Sequence, residues 1–234
     1  MNPFPLSVIF IVGAFIFAVL IIGIGAVMLQ NDSNQRVSKA DPFAEANAEY
    51  ARLQDTLDLE VATFSGGCFW CMEGPFEAQE GVEAAVVGFT GGNVERPTYR
   101  QVVSGGTGHR ESVRIFYDPD TITYGELLEI YWRQIDPTDS GGQFADRGDM
   151  YTTAVYYHSQ EQKAEVEKQI DMLNRSGRYE KAIVTEVLPS QEFYPAEDYH
   201  QDFYIKSSEY YKNYAKGSGR ADYIEAAEQR YADQ

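Results

Sequence analysis

The sequence of 234 residues contains few cysteines and few histidines, two and three respectively. Two cysteines do not make a disulfide scaffold, and the usual four-ligand metal site needs more Cys and His side chains than this chain offers. No glycine-rich phosphate loop is present in the sequence, and no motif indicates a flavin or a nicotinamide. We therefore expect no metal and no cofactor, which leaves redox or nucleophilic chemistry of the cysteines.

Basic residues are also scarce, with 19 Lys and Arg against 36 Asp and Glu, and the formal net charge is −17. A strongly negative surface repels phosphate backbones, and the sequence has no basic stripe with interleaved aromatic residues. Nucleic acid is therefore excluded as a partner.

Charge is absent from residues 6–29, which read LSVIFIVGAFIFAVLIIGIGAVML. A helix of this length exceeds the roughly 30 Å hydrocarbon core of a bilayer. The segment predicts an uncleaved, single-pass transmembrane helix. A cleavable signal peptide is the alternative, although its apolar region is usually shorter and follows positive charge. Arg36 and Lys39 lie after the span, which favours a cytoplasmic location for the domain that follows. A location on the opposite side of the membrane is the alternative.

Composition and periodicity divide the chain into an anchor (1–30), an acidic, partly helical tether (31–60), a main domain (61–215) and a polar C-terminal helix (216–234). In the main domain, β-rich runs alternate with helical patterns. The runs lie at 61–64, 84–89, 111–117, 152–158 and 182–188, and the helical patterns at 69–79, 123–134 and 160–175. This alternation predicts an α+β fold with a two-layer mixed sheet. The tyrosine-rich chain after residue 189 is expected to wrap irregularly over the domain.

Both cysteines lie in one stretch, VATFSGGCFWCMEGPF (61–76). The pattern predicts a strand, a glycine turn and a helix, so Cys68 falls where the helix begins. Unpaired backbone N–H groups and the helix dipole favour a thiolate at this position, and we expect a lowered pKa for Cys68. The alternative is that Cys68 and Cys71 are two small, inert, buried residues.

Other side chains compete for a place near Cys68. Phe69 and Trp70 follow it directly and can form the wall of an apolar pocket. Glu111 begins a predicted strand, where burial would raise its carboxyl pKa and allow it to donate a proton. Three further candidates lie on predicted loops: Tyr99, Asp146 and Tyr151. Taken singly, each of these residues is explained as well by packing or solvation.

Together and in this order, the segments resemble the A-type peptide methionine sulfoxide reductases from residue 61 to about residue 214. The resemblance rests on GGCFWCME (66–73), GFTGG (88–92), PTYRQVVSGGTGHRESVRI (97–115), YWRQIDPTD (131–139), QFADRGDMYTTAVYY (143–157) and FYPAEDYHQDF (193–203). With the transmembrane segment, it indicates a membrane-anchored form with a CFWC motif. The main domain is then a catalytic domain, and we expect a ferredoxin-like core.

The resemblance implies reduction of methionine (S)-S-oxide, free or in proteins, through a Cys68 nucleophile, with Glu111 as the acid. It implies that Phe69 and Trp70 hold the substrate methyl group. Three residues would form the hydrogen-bonded surroundings of the sulfoxide oxygen: Tyr99, Asp146 and Tyr151. The products are methionine and a Cys68 sulfenic acid, which a thioredoxin-type thiol recycles. We expect a monomer.

The chain departs from the common family pattern at the recycling step. Many members carry glycine where this chain has Cys71 and use C-terminal cysteines to resolve the sulfenic acid, whereas residues 204–234 contain none. We expect Cys71 to resolve it as a disulfide with Cys68. The alternative is that Cys71 packs in the core and thioredoxin, glutaredoxin or glutathione reduces Cys68 directly. His109, His158 and His200 are expected to be structural.

Two other functions stay open. A thiol–disulfide oxidoreductase or thiol peroxidase would use Cys68 and Cys71 and be indifferent to Glu111. A noncatalytic module would recognise oxidised protein surfaces without turnover.

Overall fold

The computed structural model describes residues 41–232, and most strands in this part of the chain join one sheet. The strands are β1 (Glu60–Gly66), β2 (Val82–Thr90), β3 (Arg110–Tyr117), β4 (Gly142–Gln143), β5 (Asp146–Arg147), β6 (Thr153–Tyr157), β7 (Glu186–Pro189) and β8 (Phe193–Pro195). Six of them form a sheet in the order β7-β6-β1-β3-β2-β8, and β4 pairs with β5 in a separate hairpin.

Helices connect and cover these strands. They are α1 (Ala44–Gln54), α2 (Phe69–Glu77), α3 (Tyr99–Val103), α4 (Tyr124–Gln134), α5 (Gln160–Arg175), α6 (Phe203–Lys206), α7 (Ser208–Gly217) and α8 (Arg220–Ala232). Short 3₁₀ turns occur at Asp149–Tyr151 and Asp198–His200.

The four central strands follow the β-α-β-β-α-β connection of a ferredoxin-like unit. β3 pairs antiparallel with both β1 and β2, and β6 pairs antiparallel with β1. β7 extends one edge in parallel with β6, and β8 extends the other edge antiparallel to β2. The sheet is therefore mixed, as the alternation of helices and strands in the sequence predicts.

The main core lies on one face of the sheet, where helices α2, α4 and α5 pack. Alternate strand residues point to this face, and Phe64 and Ile115 are fully buried there. Trp132 of α4 lies in the same core and donates its indole N–H to Gln169 of α5 at 2.9 Å. The core thus holds α2, and with it the cysteine turn, against the sheet.

The opposite face of the sheet is covered by α1. Leu53 is 1% exposed and packs with Tyr50, Val86 and neighbouring aromatic residues. Arg114 of β3 is buried in this layer and donates to the Tyr50 hydroxyl. The folded unit therefore begins at Pro42. The expected boundary between tether and domain at residue 61 falls inside a packed layer, because α1 covers apolar sheet residues that would otherwise face water.

Most predicted elements are confirmed within one or two residues. The helical pattern at 160–175 is α5 with the same bounds. α4 begins at Tyr124 because Thr123 caps it: the Thr123 hydroxyl accepts from the Glu126 N–H, and the Glu126 carboxylate accepts from the Thr123 N–H. The strand predicted at 182–188 is shorter than expected, since β7 is an edge strand that pairs only with β6.

The prediction of an irregular tail after residue 189 is wrong. This segment contains β8, α6 and α7, and α8 begins at Arg220. The tyrosines that obscured helical periodicity in the sequence pack on one another and on α2: Trp70 lies edge-on to both Tyr210 and Tyr214.

Among residues 41–232, the helices are all too short or too polar to span a membrane. The span predicted at residues 6–29 lies outside the described residues.

The packing of α1 predicts a stability difference between two leucines of the expected tether. Leu53→Ala removes buried methyl groups and should lower the free energy of unfolding by about 2–4 kcal/mol. Leu57→Ala is the matched control, because Leu57 is 85% exposed, and it should change stability by less than about 0.5 kcal/mol. Urea unfolding measures both. Equal effects of the two substitutions would show that α1 is not part of the folded unit.

Candidate active site

Cys68 lies at the turn between β1 and α2, where it is the N-cap residue of the helix. The turn requires glycine at position 67, whose φ is +84° and where a Cβ atom would come within 2.5 Å of the Arg220 guanidinium. Cys68 is only 5% exposed. The predicted strand, glycine turn and helix are therefore confirmed, and the thiol lies beneath the surface.

Glu111 is the buried acid nearest to this turn. It is 1% exposed, and its Oε2 atom accepts the Phe69 backbone N–H at 3.0 Å. Burial, followed by negative charge on Cys68, raises the pKa of Glu111 well above its usual range. The expected burial and raised pKa of this carboxyl are confirmed, so Glu111 keeps its proton to a higher pH than an ordinary glutamate does.

The lowered pKa expected for Cys68 is wrong. Burial raises the pKa of the Cys68 thiol well above its usual value, and the hydrogen bond with Cys71 adds to this increase. Tyr214 and Arg220 act in the opposite direction without cancelling it. The helix N-terminus favours the thiolate, but the loss of water around the buried turn outweighs this effect.

Cys71 lies one helical turn further along, with its thiol within hydrogen-bonding reach of Cys68. The Cys71 backbone N–H donates to the Cys68 carbonyl at 3.1 Å. The hydrogen bond from Cys68 lowers the pKa of Cys71. Both cysteines are free and buried, so the two thiols lie together in one enclosed site.

Tyr99 and Tyr151 bring two phenol groups to the same site. Their side chains lie close enough to interact. Burial, followed by the charge of Glu111, raises the pKa of each phenol, although Tyr151 acts to lower the pKa of Tyr99. Both therefore remain protonated hydroxyls that can donate hydrogen bonds.

Asp146 comes from the β4–β5 hairpin. Its Oδ1 atom accepts from the Tyr214 hydroxyl at 2.5 Å. Its Oδ2 atom is buried and has no hydrogen-bond partner within the described part of the chain. Tyr214 is also within hydrogen-bonding reach of Cys68, so it links the carboxylate to the thiol.

The two aromatic residues that follow Cys68 differ in their surroundings. Phe69 is fully buried among Val87, Phe89 and other apolar residues. Trp70 is partly exposed and stacks face to face on Phe203, with the ring centroids 3.9 Å apart. Its indole N–H donates to His200 Nδ1 at 3.0 Å. The structure therefore places Phe69 in the core of the site and Trp70 at its rim.

Sequence reasoning missed Arg220, the first residue of α8. Its guanidinium donates to the Gly66 carbonyl at 2.7 Å and to the Gln134 carbonyl at 2.8 Å. Arg220 is 1% exposed although it begins a helix expected to be polar. Sequence spacing could indicate only that helix α7 ends near Gly217; the 154 positions that separate Arg220 from Gly66 carry no local signal for their contact.

The three histidines hold backbone or side chains in place. His109 accepts the Gly92 N–H through Nδ1 and donates to the Val94 carbonyl at 2.8 Å through Nε2. His158 contacts the Thr63 hydroxyl at 2.9 Å. Burial lowers the pKa of both His158 and His200 to about 4, which keeps these two rings neutral.

A thiol at a helix start, a buried carboxyl with a raised pKa and phenol hydroxyls enclosed in one site are the features of a thiol-dependent enzyme that protonates the group its sulfur attacks. The family model for peptide methionine sulfoxide reductase matches residues 60–232. The chain belongs to this family. The matched range extends through α8, beyond the domain end expected at residue 215.

Relatives cover the same region. A peptide methionine sulfoxide reductase MsrA of Listeria monocytogenes serotype 4a is 53% identical over 168 residues, which are 72% of this chain and 95% of the relative. One of Bacillus pumilus is 53% identical over 167 residues, 71% of this chain and 94% of the relative.

Solved structures share the fold. Methionine sulfoxide reductase A of Corynebacterium diphtheriae is similar with a TM-score of 0.59 and 33% identity, over 66% of this chain and 78% of the other. Mxr1 of Saccharomyces cerevisiae in reduced form has a TM-score of 0.59 and 27% identity, over 66% of this chain and 88% of the other. The expectation of a mixed α/β reductase fold is confirmed.

Proposed function

We propose that the protein reduces methionine (S)-S-oxide, free and in proteins, to methionine. The observation that carries this proposal is the bond between the Glu111 carboxyl and the Phe69 N–H at 3.0 Å, which fixes a proton donor beside the first turn of the helix that begins at Cys68. Sulfoxide oxygen is a poor leaving group, so an attacking thiol needs such an acid.

The reaction balances within the protonated site. Cys68 loses its thiol proton and attacks the sulfoxide sulfur, while Glu111 protonates the oxygen. The S–O bond of the substrate and the newly formed bond between the two sulfur atoms then break as the hydroxyl passes to the Cys68 sulfur, which leaves methionine and a Cys68 sulfenic acid, and the thiol proton restores Glu111. The methionine sulfur is reduced by two electrons and the cysteine sulfur is oxidised by two. No net charge has to enter the buried site, which is consistent with the raised pKa of both groups.

The other side chains orient the substrate in this proposal. Tyr99 and Tyr151 donate hydrogen bonds to the oxygen as its charge develops, which is worth roughly 10²–10³ in rate for a well-placed donor. Asp146 contributes through Tyr214, because it accepts a hydrogen bond from the Tyr214 hydroxyl. Phe69 and Trp70 form the wall for the methyl group and so select the configuration at sulfur.

We propose that Cys71 resolves the sulfenic acid and that a thioredoxin-type dithiol then reduces the resulting disulfide. The proximity of the two thiols in the first turn of α2 supports this step, since the sulfurs can meet without a large rearrangement of the helix. The same pair favours thiol–disulfide exchange as a second candidate function, in which Glu111 has no part.

We also propose that residues 6–29 anchor the enzyme in a membrane, with the catalytic domain on the cytoplasmic side. The support is the 24-residue run without charge, followed by Arg36 and Lys39. The full-length protein should remain in the membrane pellet after carbonate extraction, and the domain should resist protease added outside intact cells. Recovery in the carbonate supernatant would contradict the anchor, and digestion from outside would reverse its orientation.

Replacement of the acid tests the proposed reaction. Glu111→Gln keeps an acceptor for the Phe69 N–H but has no proton to give, so single-turnover reduction of methionine (S)-S-oxide should slow by about 10²–10⁴. The wild-type rate should fall as pH rises through the raised pKa of Glu111, because the acid must be protonated. Exposed Glu129 on α4 offers the control, and Glu129→Gln should behave as wild type. An unaffected Glu111→Gln enzyme would favour thiol–disulfide exchange instead.

Replacement of the second cysteine tests the recycling step. Cys71→Ser should still give one equivalent of methionine per chain, because Cys68 and Glu111 are intact, but it should lose steady-state turnover with thioredoxin. Stoichiometric and steady-state assays on the same preparation measure the two steps, and Cys68→Ser should fail in both. Full thioredoxin-driven turnover of Cys71→Ser would refute the resolving role and assign Cys71 to packing.

A further inference from the structure

A cavity of about 330 Å³ between α1, α2 and the turn before α6 has a strongly acidic lining. Seven carboxylates line it, together with one amine, that of Lys206. Like charges held together in this way repel one another unless a cation joins them. The cavity lies apart from Cys68 and Glu111, and the reaction proposed above does not use it.

Glu73 of α2 is the innermost of these carboxylates and is 1% exposed. Its Oε1 atom accepts the Asp202 N–H at 2.8 Å. Its Oε2 atom is buried and has no hydrogen-bond partner among residues 41–232. A buried carboxylate oxygen without a partner is costly, and native proteins ordinarily satisfy such atoms with a donor, a water or an ion.

We propose that Glu73, Glu77 and Asp202 bind one Ca²⁺ ion. One carboxylate oxygen from each of the three residues lies within 4.8 Å of the others. Ca²⁺ binds oxygen at about 2.3–2.6 Å in flexible geometry, so two ligands on opposite sides of one ion lie up to about 5 Å apart, and the three oxygens fall within that reach. Mg²⁺ demands near-ideal octahedral geometry and gives up its water reluctantly, so a site made of three carboxylates with no octahedral frame favours Ca²⁺. The scarcity of Cys and His in the sequence argues against a metal site built from those residues, but it does not bear on a site built from carboxylate oxygens.

The neighbouring groups leave room for an ion. Glu77 Oε2 accepts from the Tyr204 hydroxyl at 2.7 Å, which orients the carboxylate without supplying a positive charge. Lys206 pairs with Asp202 at 3.1 Å, but both side chains are about half exposed. The amine can therefore turn toward water when a cation enters, and it competes with that cation for Asp202.

The proposed ion would join α2 to the turn that supports the rim of the active site. Asp202 has a left-handed backbone, with φ of 54°, and immediately precedes Phe203, the residue that stacks on Trp70. An ion held by Glu73 and Asp202 would fix this turn relative to the helix that carries Trp70.

Ca²⁺ binding by the purified full-length protein tests the proposal without any measurement of turnover. Isothermal titration at constant ionic strength should give one Ca²⁺ per chain, with Mg²⁺ at least tenfold weaker, and Ca²⁺ should raise the unfolding temperature. Glu73→Gln and Asp202→Asn should each weaken binding at least tenfold. Lys206→Gln should strengthen it, because the competing amine is gone. Exposed Glu129 serves as the control, and Glu129→Gln should leave the affinity unchanged.

Absence of Ca²⁺ binding up to about 10 mM would overturn the proposal, as would equal affinity in the wild type and Asp202→Asn. Equal or tighter binding of Mg²⁺ would overturn the choice of ion. If Glu73→Gln does not fold, Asp202→Asn and Lys206→Gln decide the matter, because both positions are half exposed and replacement there leaves the core intact. Their affinities must move in opposite directions.

Discussion

The hydrogen bond from the Phe69 N–H to the Glu111 carboxyl is the contact on which the site depends. It joins the first turn of α2 to β3, so the thiol and its acid are positioned by one interaction between a helix start and a strand start. A helix N-terminus has N–H groups without partners inside the helix, and a carboxyl is well suited to accept one of them. Because the sheet register fixes Glu111 opposite Phe89 of β2, the acid cannot move away from the cysteine turn without disruption of the sheet.

Burial is the main influence on the protonation of three groups around that bond. It is the main cause of the raised pKa of Cys68, Glu111 and Tyr99 alike. A free thiolate would lie close to a carboxyl and to phenols in a site with little water, where an unpaired negative charge is costly. The helix N-terminus is therefore better understood as support for charge that develops during attack than as the cause of a resting thiolate. The raised pKa of the thiol also limits its reaction with other oxidants, since the thiolate is the reactive form.

The sequence was sufficient for the parts of the site that depend on local pattern. Cys68 lies at the start of a helix and Glu111 at the start of a strand, and the glycines and the alternation of helical and β-rich runs predict both boundaries. Helix α5 has its predicted bounds. Arg220 and Tyr214 were not predictable in this way, because their contacts depend on the path of α7 and α8 back across the domain. The predicted pKa of Cys68 is wrong for the same reason, because residues distant in sequence decide how much water reaches the turn. The sequence predicts a tether where α1 lies, because the apolar residues of this helix find partners only on the second face of the folded sheet.

The C-terminal segment completes this site by packing. Three of its residues lie around the cysteine turn. The Phe203 ring stacks on Trp70, the Tyr214 hydroxyl donates to Asp146, and the Arg220 guanidinium donates to the Gly66 carbonyl. A segment that is held by such contacts cannot swing in and out of the site without loss of several buried hydrogen bonds. Mobile tail cysteines suit an enzyme in which the tail must reach the sulfenic acid after each turnover. In a chain with a packed tail, the proposed resolving thiol would have to lie on a rigid element close to the first thiol, and Cys71 has that position on α2.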